Sequence, residues 1–316
     1  MAHQTEKLAE EWVVTEPYMD LHTALGEGPH YEPATNTLRF VDIINKRLHT
    51  VDLAAGPSSL KTLEFDVPVT VTADVEGYNP QEKLLIGAKY GLALLDRKTG
   101  QYEYLEGAKF EEGERTRSND GEVDPHGRFW IGTMTDFGLG DFRDEGSLYT
   151  FDLIKKSKQL VKSKIIIPNS VGWSPDGKTV YFTNSTAREV IAWDYDATDG
   201  SVSNERIFYK HIGPGEPDGF RVDKDGNIWH AVYGESRVLK ISPEGKLVGQ
   251  IKLPTTNTTC CEFVGTELFI TTAANGAEGE AAKYGGGLFR VDVGATGLGH
   301  GKVKLALVNG HANGSA

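Results

Sequence analysis

One strand, turn and strand unit returns six times along the chain, and that recurrence limits the possible folds more than any other feature. Its clearest copy runs from Arg117 to Met134, Arg-Ser-Asn-Asp-Gly-Glu-Val-Asp-Pro-His-Gly-Arg-Phe-Trp-Ile-Gly-Thr-Met. Val123 precedes the turn formers Asp124, Pro125 and Gly127, and Phe129, Trp130 and Ile131 follow with the aromatic and β-branched character of a buried strand. Strong copies occupy 29–42, 171–184 and 220–233, and weaker ones 74–89 and 260–273. With Phe40, Leu85, Trp130, Tyr181, Trp229 and Phe269 as equivalent anchors, the steps are 45, 45, 51, 48 and 40 residues. A period of about 45 residues built from short strands predicts blades of four antiparallel strands, and six anchors predict an all-β, six-bladed β-propeller. A β-sandwich would not need the unit at near-even spacing, and the 3.6-residue apolar period of helical solenoids is absent.

A chain of 316 residues with 39% hydrophobic residues and 37 glycines suits one propeller domain over 1–316, with 1–12 and 308–316 expected to be poorly ordered ends. Trp12 to Tyr18 reads as an extended strand that pairs beside the sheet formed near 287–293, which would remove a sheet edge. Trp173, Trp193 and Trp229 are expected in the core between blades. The net charge of -12 argues against nucleic acid or an anionic membrane as partner. The first residues lack the basic and apolar regions of a secretory signal, no apolar run is long enough to span a membrane, and the two cysteines, Cys260 and Cys261, are adjacent. These features predict reduced thiols, a cytoplasmic location, and a monomer or weak homo-oligomer whose partner is a small molecule.

The same place in successive units carries polar residues. Glu27 precedes Phe40 by 13 residues, Asn119 precedes Trp130 by 11, Asn169 precedes Tyr181 by 12 and Asp218 precedes Trp229 by 11. In a propeller such positions face the central axis, so two carboxylates and two amides would converge there; the remaining blades offer Thr72 and Thr258 or Thr259. Converging carboxylates need something positive among them, because an uncompensated buried charge costs several kcal/mol. One divalent cation satisfies them, and hard oxygen ligands favour Ca, Mg or Mn, with Zn also accepted by carboxylates.

Gly-Glu-Gly-Pro at 26–29, Arg-x-Asn-Asp-Gly at 117–121, Gly-Thr-Met at 132–134, Pro-Asn-Ser at 168–170 and Pro-Asp-Gly at 217–219 together resemble the gluconolactonase, regucalcin and senescence-marker-protein family over about residues 15 to 275. The resemblance implies a six-bladed propeller with one axial divalent metal and sugar-lactone hydrolysis. It implies Glu27, Asn169 and Asp218 as metal ligands, Asp218 also as general base, and Arg117 and Asn119 as substrate-binding residues. The Cys260-Cys261 pair is similar to a stretch in animal members. Two positions depart from the family pattern: Ser170 stands where Gly usually follows the ligand Asn, and Phe137 where regucalcin-like members carry an acidic residue. Both bear on substrate identity.

The expected chemistry is hydrolysis of an aldono-1,4- or 1,5-lactone polarised by the cation. Hydrolysis of other esters or organophosphates at the same metal, and a non-enzymatic calcium-binding regulatory propeller, are the alternatives. Gly-x-Ser-x-Gly and His-x-x-x-His spacings are absent, which removes serine-hydrolase and zincin readings. His230 and Tyr233 either face the pocket or pack the blade, and 138–146 reads either as a loop over the pocket mouth or as ordinary surface.

Overall fold

The computed structural model describes residues 8–111 and 113–306, and they form the six-bladed β-propeller that the repeat predicts. Blade 1 spans 26–64, blade 2 69–109, blade 3 116–165, blade 4 168–210, blade 5 216–252 and blade 6 258–292. Blades 1 to 4 are four-stranded antiparallel meanders, and the six anchors all lie on the second strand of their blades. They do not share one register. Pairing instead aligns Arg39, Gly87, Ile131, Phe182, His230 and Thr271, each opposite the residue that resumes pairing on the inner strand.

The turn chemistry is local. Between the first two strands of blade 3, Asp124 Oδ1 accepts from the backbone N–H groups of His126 (2.8 Å) and Arg128 (2.9 Å), and Gly127 takes φ 90°. Asp223 and Gly226 do the same in blade 5, with Gly226 at φ 85°. An Asp that bonds the backbone ahead of it and a Gly free to adopt positive φ make the reversal inexpensive.

The core lies between neighbouring blades. Trp130 of blade 3 packs edge-on against Trp173 of blade 4 at 5.7 Å, within a cluster that includes Phe182 and Trp193. Trp229 of blade 5 packs with Cys261 and Phe289 of blade 6. All three tryptophans expected in the core are there. Burying each aromatic ring contributes about 2–3 kcal/mol, so the contacts that stabilise a blade also fix its angle to the next.

Every innermost strand carries a bulge near its start: the register breaks after Glu27, Val69, Ser118, Pro168, Pro217 and Thr258. An extra unpaired residue re-aims the side chains beside it. In blade 5 it requires glycine, because a Cβ on Gly219 would stand 2.4 Å from Cys260 Sγ of blade 6. Gly219→Ala would therefore force the inner strands of blades 5 and 6 apart.

Closure differs from expectation. Glu10–Val13, which begins inside the 1–12 end expected to be poorly ordered, is a strand parallel to Leu247–Lys252 at the outer edge of blade 5. The reason is packing: the Trp12 ring lies 5.3 Å from that of Trp229. Met19 meets the last blade through an isolated bridge to Leu288, beside the three strands of blade 6. The seam between blades 6 and 1 is held by Thr23 Oγ1, which donates to Thr272 O (3.2 Å) and Gly286 O (2.9 Å), and by Thr259 Oγ1, which donates to Gly26 O (2.5 Å). Residues 1–7 and 307–316 lie outside the described residues. At the far end of the inner strands, 296–304 forms a strap across the axis. It runs from blade 5 (Lys224 N to Thr296 O, 2.9 Å) to blade 2 (Val303 N to Asp74 O, 2.8 Å) and blade 3 (Lys304 N to Gly127 O, 3.0 Å).

Candidate active site

At the end where the inner strands begin, a cavity of about 640 Å³ is lined by Glu27, Arg117, Asn119, Asn169 and Asp218, so the structure brings all five expected residues to one place. The bulges put them there. Asn119, Asn169 and Asp218 occupy equivalent bulge positions, whereas Glu27 sits one residue earlier, with Gly28 at the equivalent place and φ 53°. The expectation for Thr72 is overturned: it lies beyond the bulge and accepts from Arg39 Nε at 2.7 Å. Thr70 holds the axial position of blade 2 instead, 2.8 Å from Ser118 Oγ. Thr258 and Thr259 sit at the blade 6 bulge, but their hydroxyls are engaged by the carbonyls of Val232 and Gly26.

A chain of hydrogen bonds fixes the amides. Arg117 Nη1 donates to Asn119 Oδ1 (2.9 Å), Asn119 Nδ2 donates to Asn169 Oδ1 (3.1 Å) and Pro168 O (2.8 Å), and Asn169 Nδ2 donates to Ser185 Oγ (2.9 Å). These bonds turn both amide oxygens into acceptors with a lone pair to spare. Arg117 is 1% exposed. Its Nε lies 3.6 Å from Asp136 Oδ1 and its guanidinium 4.5 Å above the Phe137 ring. Burial lowers its pKa to about 10, so it remains a cation at neutral pH.

The carboxylates are not so well provided for. Glu27 accepts only its neighbour's N–H, Gly28 N at 3.1 Å, and no side-chain hydrogen bond to the Asp218 carboxylate is present among the described residues. Burial, then the charge of Asp120, pushes Glu27 up to about 8. Burial, with Glu27, Asp120 and Glu216 nearby, holds Asp218 well above the ordinary carboxylate range. Asp120 itself is raised by burial. A pocket floor of carboxylates that resist ionisation, beside two fixed amide oxygens, fits a hard divalent cation, which would relieve the repulsion. The fit rests on this mixed donor set, for among the described residues no three His, Cys, Asp or Glu side chains form a metal cage.

Sequence reasoning left several participants unassigned. Asp120 joins the carboxylate cluster, held by Ser170 Oγ at 2.7 Å; the same Ser170 oxygen accepts from Phe220 N at 2.8 Å, tying blades 3, 4 and 5 together. The position of Asp120 between Asn119 and Gly121 was the available signal. Asp136, which anchors both Arg117 and Lys89 (2.7 Å), carried none. Tyr233 lines the cavity, whereas His230 lies behind it, its Nε2 3.1 Å from both Asp218 O and Thr183 Oγ1. Burial lowers His230 to about 3, so it is a neutral support for the Asp218 backbone. In 138–146, Phe142 lines the cavity, and Arg115 tethers the segment through Asp141 O (3.1 Å) and Leu139 O.

Residues 25–274 match the family model described as SMP-30/Gluconolactonase/LRE-like region. A putative sugar lactone lactonase of Rhizobium meliloti is 32% identical over 262 residues, covering 81% of this chain and 85% of that protein. Regucalcin of Xenopus laevis is 33% identical over 302 residues, covering 92% and 94%. The crystal structure of a calcium-binding protein, regucalcin, from Agrobacterium tumefaciens superposes with a TM-score of 0.85 at 28% identity, over 94% of this chain and 100% of that one.

Proposed function

The chain belongs to the SMP-30/gluconolactonase/LRE-like family, and from that premise we propose that it hydrolyses a sugar lactone, an aldono-1,4- or 1,5-lactone, to the aldonic acid. Glu27, Asn169 and Asp218 would hold one divalent cation, of the Ca, Mg, Mn or Zn class. The observation that carries this reading is the set of buried, mutually repelling carboxylates beside oriented amides at the floor of a substrate-sized cavity. The cation, when bound, supplies Lewis-acid polarisation of the lactone carbonyl and offsets negative charge on its oxygen.

The remaining steps fall to the side chains. Asp218 takes a proton from the attacking water, and the proton passes to the ring oxygen as the C–O bond breaks. Arg117, held by Asp136 and Phe137, and Asn119, held by Pro168 O, keep the lactone in one orientation, which lowers the entropic part of the barrier. The arrangement needs no serine nucleophile.

A screen of aldono-1,4- and 1,5-lactones against apo protein refilled with Ca, Mg, Mn or Zn tests the proposal. Turnover that appears on refilling and disappears on chelation supports it. Stoichiometric metal binding without hydrolysis of any ester or lactone would leave a calcium-binding role, the function named for the regucalcin relatives.

A further inference from the structure

The cavity wall is divided by polarity. Leu25 just before blade 1, Ile44 of blade 1, Phe137 and Phe142 of blade 3, and Ile166 and Ile167 between blades 3 and 4 form one arc. Ser185 and Thr186 of blade 4, Glu216 and Tyr233 of blade 5 and Asn275 of blade 6 form the other. Blade order around the axis keeps the two arcs apart. The aromatic pair of the apolar arc is built rather than incidental: the Phe137 ring lies under the Arg117 guanidinium at 4.5 Å and 5.8 Å from the Phe142 ring. Phe142 is nevertheless 39% exposed, an apolar surface at the mouth of a polar site.

A polyhydroxylated lactone carries hydroxyls around its whole ring. Seated on the carboxylate and amide floor, it would face one side toward Ser185, Glu216 and Tyr233 and the other toward side chains that offer no hydrogen bond. Hydroxyls desolvated against that second arc are unpaired, which is costly. An apolar arm on that side gains by leaving water. The cavity of about 640 Å³ holds both a ring and an arm.

We propose that the preferred substrate is a lactone bearing an alkyl or aryl arm, with the ring on the Glu27, Asn119, Asn169 and Asp218 floor and the arm against Phe137, Phe142, Ile166 and Ile167. The proposal rests on the lactonase reading for the ring and extends it to the substituent. Phe137 and Phe142 set the specificity.

The test is kcat/KM of the metal-saturated protein for δ-valerolactone, δ-octalactone and δ-decalactone, which differ only in the arm, beside glucono-1,5-lactone. Dissociation constants of the matching lactams, which resist hydrolysis, are measured by calorimetry. Expected are a rise of roughly fourfold per buried methylene in both quantities, a kcat/KM for the armed lactones above that for gluconolactone, and a flattened dependence on arm length in Phe142→Ser and Phe137→Glu. Gluconolactone turnover with no gain from the arm overturns the inference and leaves the lactonase reading in place. Lactam affinity that rises with the arm while no lactone is hydrolysed leaves the apolar arc as a binding surface for the arm, and removes the hydrolytic reading and with it the inference about the substrate. Lactam affinity independent of the arm overturns it.

Discussion

The two ends of the axial channel hold comparable numbers of buried acids and treat them in opposite ways. At the strap end the chain supplies its own cations. His300 is inserted between Glu122 (Nδ1 to Oε2, 2.8 Å) and Glu262 (Nε2 to Oε2, 2.7 Å) and stacks on His30 at 4.0 Å. Arg221 adds a contact to Glu262 at 3.0 Å, and Arg39 pairs with Glu32 and Asp74, each at 2.8 Å. Burial works against a charge on His300, yet Glu262 and Glu122 raise it to about 9, so it is an imidazolium at neutral pH. At the cavity end no ion pair to Glu27, Asp120 or Asp218 forms among the described residues: Arg221 acts on Glu27 and Asp120 through its charge alone, and Arg117 is turned toward Asp136 and Phe137. Acids neutralised from within stabilise the fold. Acids left without a paired cation either stay protonated or take up a cation, and under the proposed function that separates a structural end from a functional one.

The strongest way to break this contrast is Asp218→Asn. It keeps an oxygen donor and the volume but removes the proposed base, so kcat of the metal-saturated protein should fall by roughly two to four orders of magnitude. Glu27→Gln removes the same charge without the base, and should weaken metal affinity more than the saturated rate. Equal rates for both variants and the unmodified protein would mean that the cavity acids do no chemistry.

The converse substitution is His300→Gln, which leaves Glu122 and Glu262 without their shared cation. Stability should fall by roughly 3–5 kcal/mol, measured by denaturant unfolding, while kcat/KM of the folded protein is unchanged. The same group sets a pH dependence. Its folded pKa of about 9 lies above the ordinary histidine value of about 6.5, so its contribution is complete below about 6.5 and lost as pH rises through about 9. Melting temperatures across that range should decline for the unmodified protein and decline less for His300→Gln. A variant as stable as the parent would show that the strap end is not held by its charges.

A smaller effect sharpens the cavity end. Arg117→Ala should lower lactone turnover about tenfold to a hundredfold through lost orientation, with metal stoichiometry by elemental analysis unchanged, because Arg117 contacts Asn119, Asp136 and Phe137 rather than the carboxylates. Loss of metal would reassign it. Smallest is Ser170→Ala, which removes the bonds to Asp120 Oδ2 and Phe220 N; about 1–3 kcal/mol of stability should be lost, and a larger loss would show that this contact holds blades 3 to 5 together.

The fold was readable because each blade repeats a local pattern: β-branched and aromatic strands around an Asp and Gly turn need no information from elsewhere in the chain. Glu27, Asn119, Asn169 and Asp218 were readable for the same reason, as they recur near the start of the inner strands of blades 1, 3, 4 and 5, whereas Arg117 was legible only through the family resemblance. The spacing count did misplace two features. It treated Glu27 as equivalent to Asn119, although the bulge sets it one residue apart, and it chose Thr72 over Thr70. Strand spacing carries no mark of which residue a bulge leaves unpaired, because the cause is contact with the next blade, as at Gly219 and Cys260.

By itself, then, the sequence determined six blades, an apolar core between them and a ring of polar residues at one end of the axis, since alternation and turn chemistry act over a few residues. Tertiary structure decided which acids are neutralised and which are not. His300 meets Glu122 across 178 residues and Glu262 across 38, and the N-terminal strand chooses blade 5 because Trp12 packs against Trp229 there. Charge pairing is set by distance in space and by the burial that strengthens it, and neither quantity exists until the propeller has closed.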